Sequence, residues 1–398
     1  MKRAAFAFVF ITVMLDMLAL GIVVPVGPAL ILQLSGSSMT DAAAVFGLFG
    51  TVWAAMQFVF APVLGALSDR FGRRPVILIS CLGLGLDYFV MALAPNLAWL
   101  FVGRILSGIT ASSFSTGFAY IADVTPPDQR AGRFGLLGVA FGVGFVLGPA
   151  LGGLLGNVNL RLPFWVSGAL SLAGFGYGLF VLPESLPAER RAPFSLARAN
   201  PLGSLALLRS YRALLALAAA AFLYRMAHDA LPSLFVLFGK YRFAWSERTV
   251  GLVLAGVGVT SMVVQGGLIR PVVARFGERR AMLAGFLFGA ISFVAYGLAP
   301  TGSLFVAGIP FGALFGLAYP SLQGLMSRKV AADEQGRLQG AIASLMGVAG
   351  VLAPLMFTQV FALSIGRFSG LGVPGAAFLL ASVLLVAAAA ISGIATRR

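Results

Sequence analysis

Twelve apolar runs follow one another along this chain, each near the length of roughly 20 residues that a helix needs to cross the hydrocarbon core of a bilayer. They fall near 5 to 32, 44 to 66, 75 to 94, 97 to 122, 134 to 156, 162 to 182, 212 to 238, 248 to 271, 281 to 300, 303 to 326, 338 to 362 and 373 to 395. Backbone in lipid must satisfy its own polar groups, so runs of this length fold as helices. The expected class is an all-α integral membrane protein of twelve transmembrane helices. Composition agrees: with 59% hydrophobic and only 10% charged residues, a soluble fold would expose large apolar patches. Gly21, Pro25, Pro28, Pro149, Pro320 and Pro354 lie inside the runs, which bundled helices tolerate because neighbours satisfy the freed backbone groups. Met1-Lys2-Arg3 precedes an apolar stretch longer than a signal-peptide core and without a small-residue cleavage site, so the first run reads as a retained helix.

Placing the N-terminus in the cytoplasm puts 21 Lys and Arg residues on that side and five, Arg161, Lys240, Arg242, Arg248 and Arg367, on the other. This is the positive-inside asymmetry, and it puts both termini in the cytoplasm. It also accounts for the net charge of +15 without a polyanionic ligand, so nucleic acid is not an expected partner. The one cysteine, Cys81, rules out an internal disulfide and a thiolate metal cluster.

The longest polar stretch begins at Glu184 and carries Pro187, Pro193, Pro201 and several arginines, as a linker does. On either side of it the chain repeats itself. ArgPheGly at 70 to 72 recurs at 275 to 277, Asp128 answers Asp333, GlyArg at 132 to 133 answers 336 to 337, and Pro149 answers Pro354. Two six-helix halves, 1–183 and 212–398, are therefore expected about a cytoplasmic linker, 184–211. Parallel repeats of this kind place substrate between halves that rock to give alternating access.

Ionisable groups at membrane depth are few: Asp16, Asp87, Arg104, and Arg225, His228 and Asp229. Such groups are expensive in lipid and mark ion or substrate pathways. A carboxylate shielded from water can take a proton from one side and release it on the other. Arg225, His228 and Asp229 are spaced i, i+3 and i+4, hence on one helix face, with an Arg225–Asp229 ion pair as the plainest arrangement. Asp229 ranks ahead of His228 as a second-half coupling residue. No paired nucleophile and base, metal-ligand cluster or phosphate loop is present, so no enzyme and no metal site are expected.

Two strings carry a family resemblance. GALSDRFGRRP at 65 to 75 places Gly65 for close helix approach, Asp69 at a helix end, and Arg70, Arg73 and Arg74 toward the cytoplasmic surface. GVGFVLGPALGG at 142 to 153 gives the fifth helix a flat face and a proline bend. The first closely resembles the loop motif of the major facilitator superfamily, and the second is similar to that superfamily's exporter motif, here Gly144, Gly148, Pro149 and Gly152. MQFVFAPVLGALSDRFGRRPV, LDYFVMA, GRILSGIT, AYIADVTPPDQRAGRFG, ARFGERRA, SLQGLMSR and GRLQG extend the likeness over nearly the whole chain, toward the tetracycline/proton antiporters.

The resemblance implies a twelve-helix major facilitator fold in a bacterial inner membrane. It implies a proton-coupled antiporter exporting a small amphipathic drug, tetracycline or a related antibiotic, and working as a monomer. No cofactor is implied beyond the proton gradient, and the drug can arrive as a divalent-metal chelate. Asp69, Arg70, Arg73 and Asp123 would form a cytoplasmic gate latch. Asp16, Asp87 and Asp229 would couple protons, and Gln57, Arg104, Arg225 and His228 would meet substrate. Two departures stand out: Ser261 occupies the place of an eighth-helix histidine, and Gly289 that of a ninth-helix aspartate. They keep open a multidrug exporter of other substrates, or a proton-coupled metabolite transporter.

Overall fold

A computed structural model describes residues 2–111, 113–126, 129–191, 212–331 and 334–396, and the secondary structure among them is entirely helical. The first span is Lys2–Val23 with Gly27–Ser35, bent by 44°. Met39–Phe71 is the second, Arg73–Leu93 the third, Leu97–Thr110 with Ser113–Val124 the fourth, Arg130–Val158 the fifth and Leu162–Val181 the sixth. Beyond the linker come Arg212–His228 with Ala230–Phe243 as the seventh span and Glu247–Val263 as the start of the eighth. A π-helical turn, Val264–Leu268, joins it to Ile269–Leu298. Gly302–Ser327, Gln335–Ile365 and Ala376–Ala395 complete the set.

Continuous helix from Glu247 to Leu298 runs for 52 residues, which at 1.5 Å per residue is about 78 Å, far beyond a hydrocarbon core of about 30 Å. It is two spans, divided at Gly277, whose backbone is non-helical (φ 77°). With the bent first span counted once, the spans number twelve among the described residues, as the hydropathy pattern requires. Residues 192–211, most of the expected linker, and Asp128 and Asp333 of the repeat lie outside the described residues.

The chain divides into two compact units. The first comprises Met1–Gly36, Val52–Asn200 and Ser246–Ala255. In it the first span packs along the fifth and sixth, and the third along the sixth, around a core that includes Phe8, Val13, Ile77, Tyr120 and Leu137. Gly144, Gly148 and Gly152, four residues apart on one face, lie directly on the first-span backbone between Met17 and Ile22. The start of the eighth span belongs to this unit because Gly251 rests on Gly153 and the Pro149 carbonyl.

The second unit comprises Ser37–Thr51, Pro201–Trp245 and Gly256–Arg398. The twelfth span packs against the seventh and ninth, over an aromatic core in which Phe238, Phe305 and Phe378 are fully buried and in mutual ring contact. The start of the second span joins it: Thr51 Oγ1 donates to the Val351 carbonyl at 2.8 Å, and Gly47 meets Thr358 and the Pro354 carbonyl.

The internal repeat is carried by backbone as well as sequence. Gly72 (φ 106°) and Gly277 (φ 77°) take the left-handed region at matched positions between consecutive spans, a conformation that costs little without a Cβ. Just before each, an arginine lies over the next residue's ring: Arg70 over Phe71 at 5.1 Å and Arg275 over Phe276 at 5.6 Å.

Candidate functional site

The GALSDRFGRRP motif of the first unit folds into a connected polar network. Left-handed Gly72 turns the chain sharply, so Arg73 at the third span's first residue faces back toward the end of the second. Its guanidinium reaches Asp69, Ser68 Oγ at 2.6 Å and, through Nε, Asp123 Oδ2 at 3.1 Å. The Arg73 side chain is only 12% exposed, which strengthens each charge-assisted bond. Asp69, Arg73 and Asp123 thus come together in one network. Arg70 stands outside the network, exposed, with its guanidinium on Phe71.

Glu184 is the member that the motif did not announce. Its carboxylate accepts the backbone N–H groups of Arg73 at 2.9 Å and Arg74 at 3.3 Å, together with those of Ser185 and Leu186. It therefore caps the third span's N-terminus, where free N–H groups and the helix dipole favour an anion. Ser185 Oγ donates to Asp123 at 3.1 Å, and Tyr120 OH donates to the Pro183 carbonyl at 2.9 Å. The sixth span's exit is thereby stapled to this network. A signal was present in the sequence: an acidic residue directly after the sixth span, among basic loops. Glu184→Ala is expected to lower the thermal stability of the purified protein by about 1 kcal/mol, the usual worth of a lost N-cap. An unchanged melting curve would refute the cap.

In the second unit the corresponding pair has its charges exchanged. Glu278 stands 205 residues after Arg73 and Arg328 stands 205 after Asp123, and they meet at 3.0 Å. The repeat conserves the contact and inverts its polarity.

At membrane depth in the first unit, Asp16, Asp87 and Arg104 all act electrostatically on buried Tyr88. Asp87 is fully buried. The Arg104 guanidinium and the Ser107 hydroxyl are the polar groups that act on it. Its Oδ1 lies 2.6 Å from where a side chain at Gly103 would begin, so the carboxylate rests on bare fourth-span backbone. One turn beyond Arg104, Gly108 receives the second-span backbone at Gln57. Asp16 is 5% exposed. Two buried carboxylates and one guanidinium thus come from three spans of this unit, and a desolvated carboxylate is stable only with a counter-charge or a proton.

The second unit holds the other ionisable group. Arg225 Nε stands 3.0 Å from Asp229 Oδ2, and His228 Nδ1 stands 3.4 Å from Asp229 Oδ1, so the expected ion pair forms. The seventh span breaks at Asp229, between Arg212–His228 and Ala230–Phe243. Pro232 explains the break, since it has no N–H to offer the His228 carbonyl. Tyr224, Phe315 and Tyr319 line this group, with the Tyr224 ring 4.6 Å from Phe315 and stacked on Tyr319 at 5.4 Å. Gly289 lies nearby in the core, where a side chain would meet Phe315 and Leu385 at 2.7 Å. The tenth span is itself irregular here, with a 3-10 turn at Leu314–Leu317.

The sequence model described as the Major Facilitator Superfamily matches residues 9–354. The tetracycline resistance protein, class C, of Escherichia coli is 40% identical over 370 residues, 93% of each chain. The class G protein of Vibrio anguillarum is 35% identical over 375 residues, 92% of this chain and 93% of its own. Among solved structures, that of the human organic anion transporter MFSD10 superposes with a TM-score of 0.73 at 25% identity, covering 98% of this chain and 99% of the other.

Proposed function

Because the chain belongs to the major facilitator superfamily, we propose that it is a proton-coupled antiporter that exports a small amphipathic drug, tetracycline or a related antibiotic, by alternating access. One observation carries this reading: relatives named for tetracycline resistance match it at 40% and 35% identity over more than nine-tenths of its length. The protein is a multi-pass membrane transport protein, not an enzyme. The bacterial inner membrane and a functional monomer complete the reading, and the charge asymmetry of the loops supports cytoplasmic termini.

Asp16 and Asp87 are the coupling carboxylates of the first half, with Gln57 and Arg104 beside them; Asp229, Arg225 and His228 serve the second. A substrate that displaces the proton from a shared carboxylate, or draws Arg104 away from it, cannot occupy the site together with that proton. Exchange follows, and an inward proton gradient drives outward transport. Asp69, Arg73 and Asp123 hold the cytoplasmic ends of three spans in one arrangement, and opening must break that network. A metal chelate of the drug would travel as substrate; the carboxylates suit its positive charge.

A second reading, export of drugs other than tetracycline, is favoured by the Gly289 region. Phe315 and Leu385 occupy the space that an aspartate there would need, so the ninth-span charge of the tetracycline antiporters has no room. A susceptibility panel of tetracyclines, quinolones, phenicols and dyes in an efflux-deficient bacterial host decides between them. Several-fold tetracycline protection, abolished by a protonophore, is expected. Protection against other classes alone would transfer the assignment to the second reading, and protection against none would end both.

A further inference from the structure

The second unit contains a group of side chains whose chemistry exceeds what an internal ion pair needs. Arg225 and His228 are 38% and 47% exposed within a membrane-spanning stretch. Charged or polar groups so exposed at membrane depth face a water-filled path rather than lipid. Arg225 Nε is itself buried and faces Asp229 at 3.0 Å. That edge of the guanidinium is closed to a ligand, and the exposed 38% of the side chain lies elsewhere on it. A guanidinium held along one edge by a carboxylate can meet a planar oxyanion through charge-assisted bonds from its other nitrogens.

Aromatic surface lies beside the charge. His228 is 5.9 Å from the Tyr224 ring and 6.2 Å from that of Phe315, and Tyr224 stacks on Tyr319. Two broken helices meet at this point, the seventh at Asp229 and the tenth at its 3-10 turn. The eighth span's π-helical turn adjoins the latter, with Gln265 and Val264 beside Gly316. Interrupted helices in transporters accompany ligand sites, because irregular backbone at membrane depth is tolerated where it lines a cavity.

We propose that the second unit has its own recognition site for an anionic aromatic molecule, with Arg225 and His228 taking the anionic group and Tyr224, Phe315 and Tyr319 taking the ring system. Asp229 is a positioning residue in this site: its carboxylate holds the Arg225 side chain across one helical turn. The inference rests on the transporter reading and names the substrate class for it, an amphipathic ring system bearing a carboxylate, enolate or phenolate.

Two xanthene dyes of opposite charge test it, fluorescein as the anion and rhodamine 6G as the cation, binding to the purified full chain in detergent and followed by fluorescence anisotropy. Saturable fluorescein binding is expected. Arg225→Gln should weaken it about tenfold, the scale of one lost charge-assisted contact, while rhodamine 6G affinity is unchanged. Arg225→Lys should recover part of the loss, because a point charge replaces the fork. Asp229→Asn should weaken fluorescein binding and Asp229→Glu restore it. Absence of fluorescein binding to the wild type, or equal weakening of both dyes by Arg225→Gln or Arg225→Lys, overturns the proposal. The antibiotic panel run on the same variants separates the two levels. Lost export with charge-selective dye binding intact defeats the drug-export reading alone, and export with no charge selectivity defeats the anion site alone.

Discussion

Asp87→Asn abolishes uphill drug export while the protein stays in the membrane at wild-type amounts; that is the expected result, and it follows from where the carboxylate sits. Asparagine matches the shape of aspartate, so the side chain still fits against the bare backbone at Gly103 and the fully buried site keeps its packing. What disappears is the ability to take up and release a proton, and with it the counter-charge to Arg104. A neutral amide at this depth cannot link substrate exit to proton entry. Energy-independent exchange of labelled drug across the membrane should persist in proteoliposomes, because exchange needs no net proton movement. Accumulation against a gradient in everted vesicles should fall to background. Asp16→Asn is expected to behave alike, since Asp16 is also buried and acts on the same tyrosine. Antibiotic resistance at wild-type levels in cells carrying either variant would sink the coupling assignment. Loss of exchange together with accumulation would instead make these residues structural.

The second large effect is on assembly. Gly152→Leu should remove the protein from the membrane fraction, whereas Gly138→Leu on the same helix should leave both its level and its activity intact. A Cβ at 152 would collide with the carbonyl and Cα of Ile22, which are backbone atoms and cannot rotate away. A Cβ at 138 meets nothing within 4 Å. Overpacking ordinarily costs about 1–3 kcal/mol and more where nothing yields. Here the whole face from Gly144 to Gly152 lies on the first span, which also carries Asp16. Comparing immunoblot levels of the two variants checks the contrast, and equal abundance would show that the first and fifth spans do not need this close contact. The glycines of the exporter-like motif thus set how near the helix that bears Asp16 comes to the one behind it.

The fold was legible because lipid simplifies the code. Hydrophobic length, proline and glycine tolerance and the bias of arginines to one side are local properties, and each is readable one segment at a time. Legible too was the Asp69–Arg73–Asp123 network, since Asp69 and Arg73 are four residues apart and Asp123 stands at another span's end. Glu184 escaped notice because its role depends on which helix N-terminus lies above it, 110 residues away in sequence. Arg70 stands next to Asp69 in sequence, but helical geometry turns its guanidinium onto Phe71. The charge-exchanged pair Glu278–Arg328 could have been found by carrying the repeat offset to Arg73 and Asp123, a step that matching identical residues does not suggest.

Sequence by itself determined that the chain crosses a membrane twelve times, that its two halves repeat, and which few ionisable residues lie at membrane depth. These follow from the energetics of single segments in lipid, which depend on composition and order and hardly on neighbours. Tertiary structure alone decided which of those residues share a site. It gathered Asp16, Asp87 and Arg104 from three spans, and closed the space at Gly289 with Phe315 and Leu385. It also set Arg225 beside a ring cluster at two interrupted helices, and lent the start of the second and eighth spans to the opposite sequence half. The reason is that packing is a property of pairs: a glycine, an arginine or a buried carboxylate acquires its function from what stands against it, and hydropathy along one chain does not encode that partner.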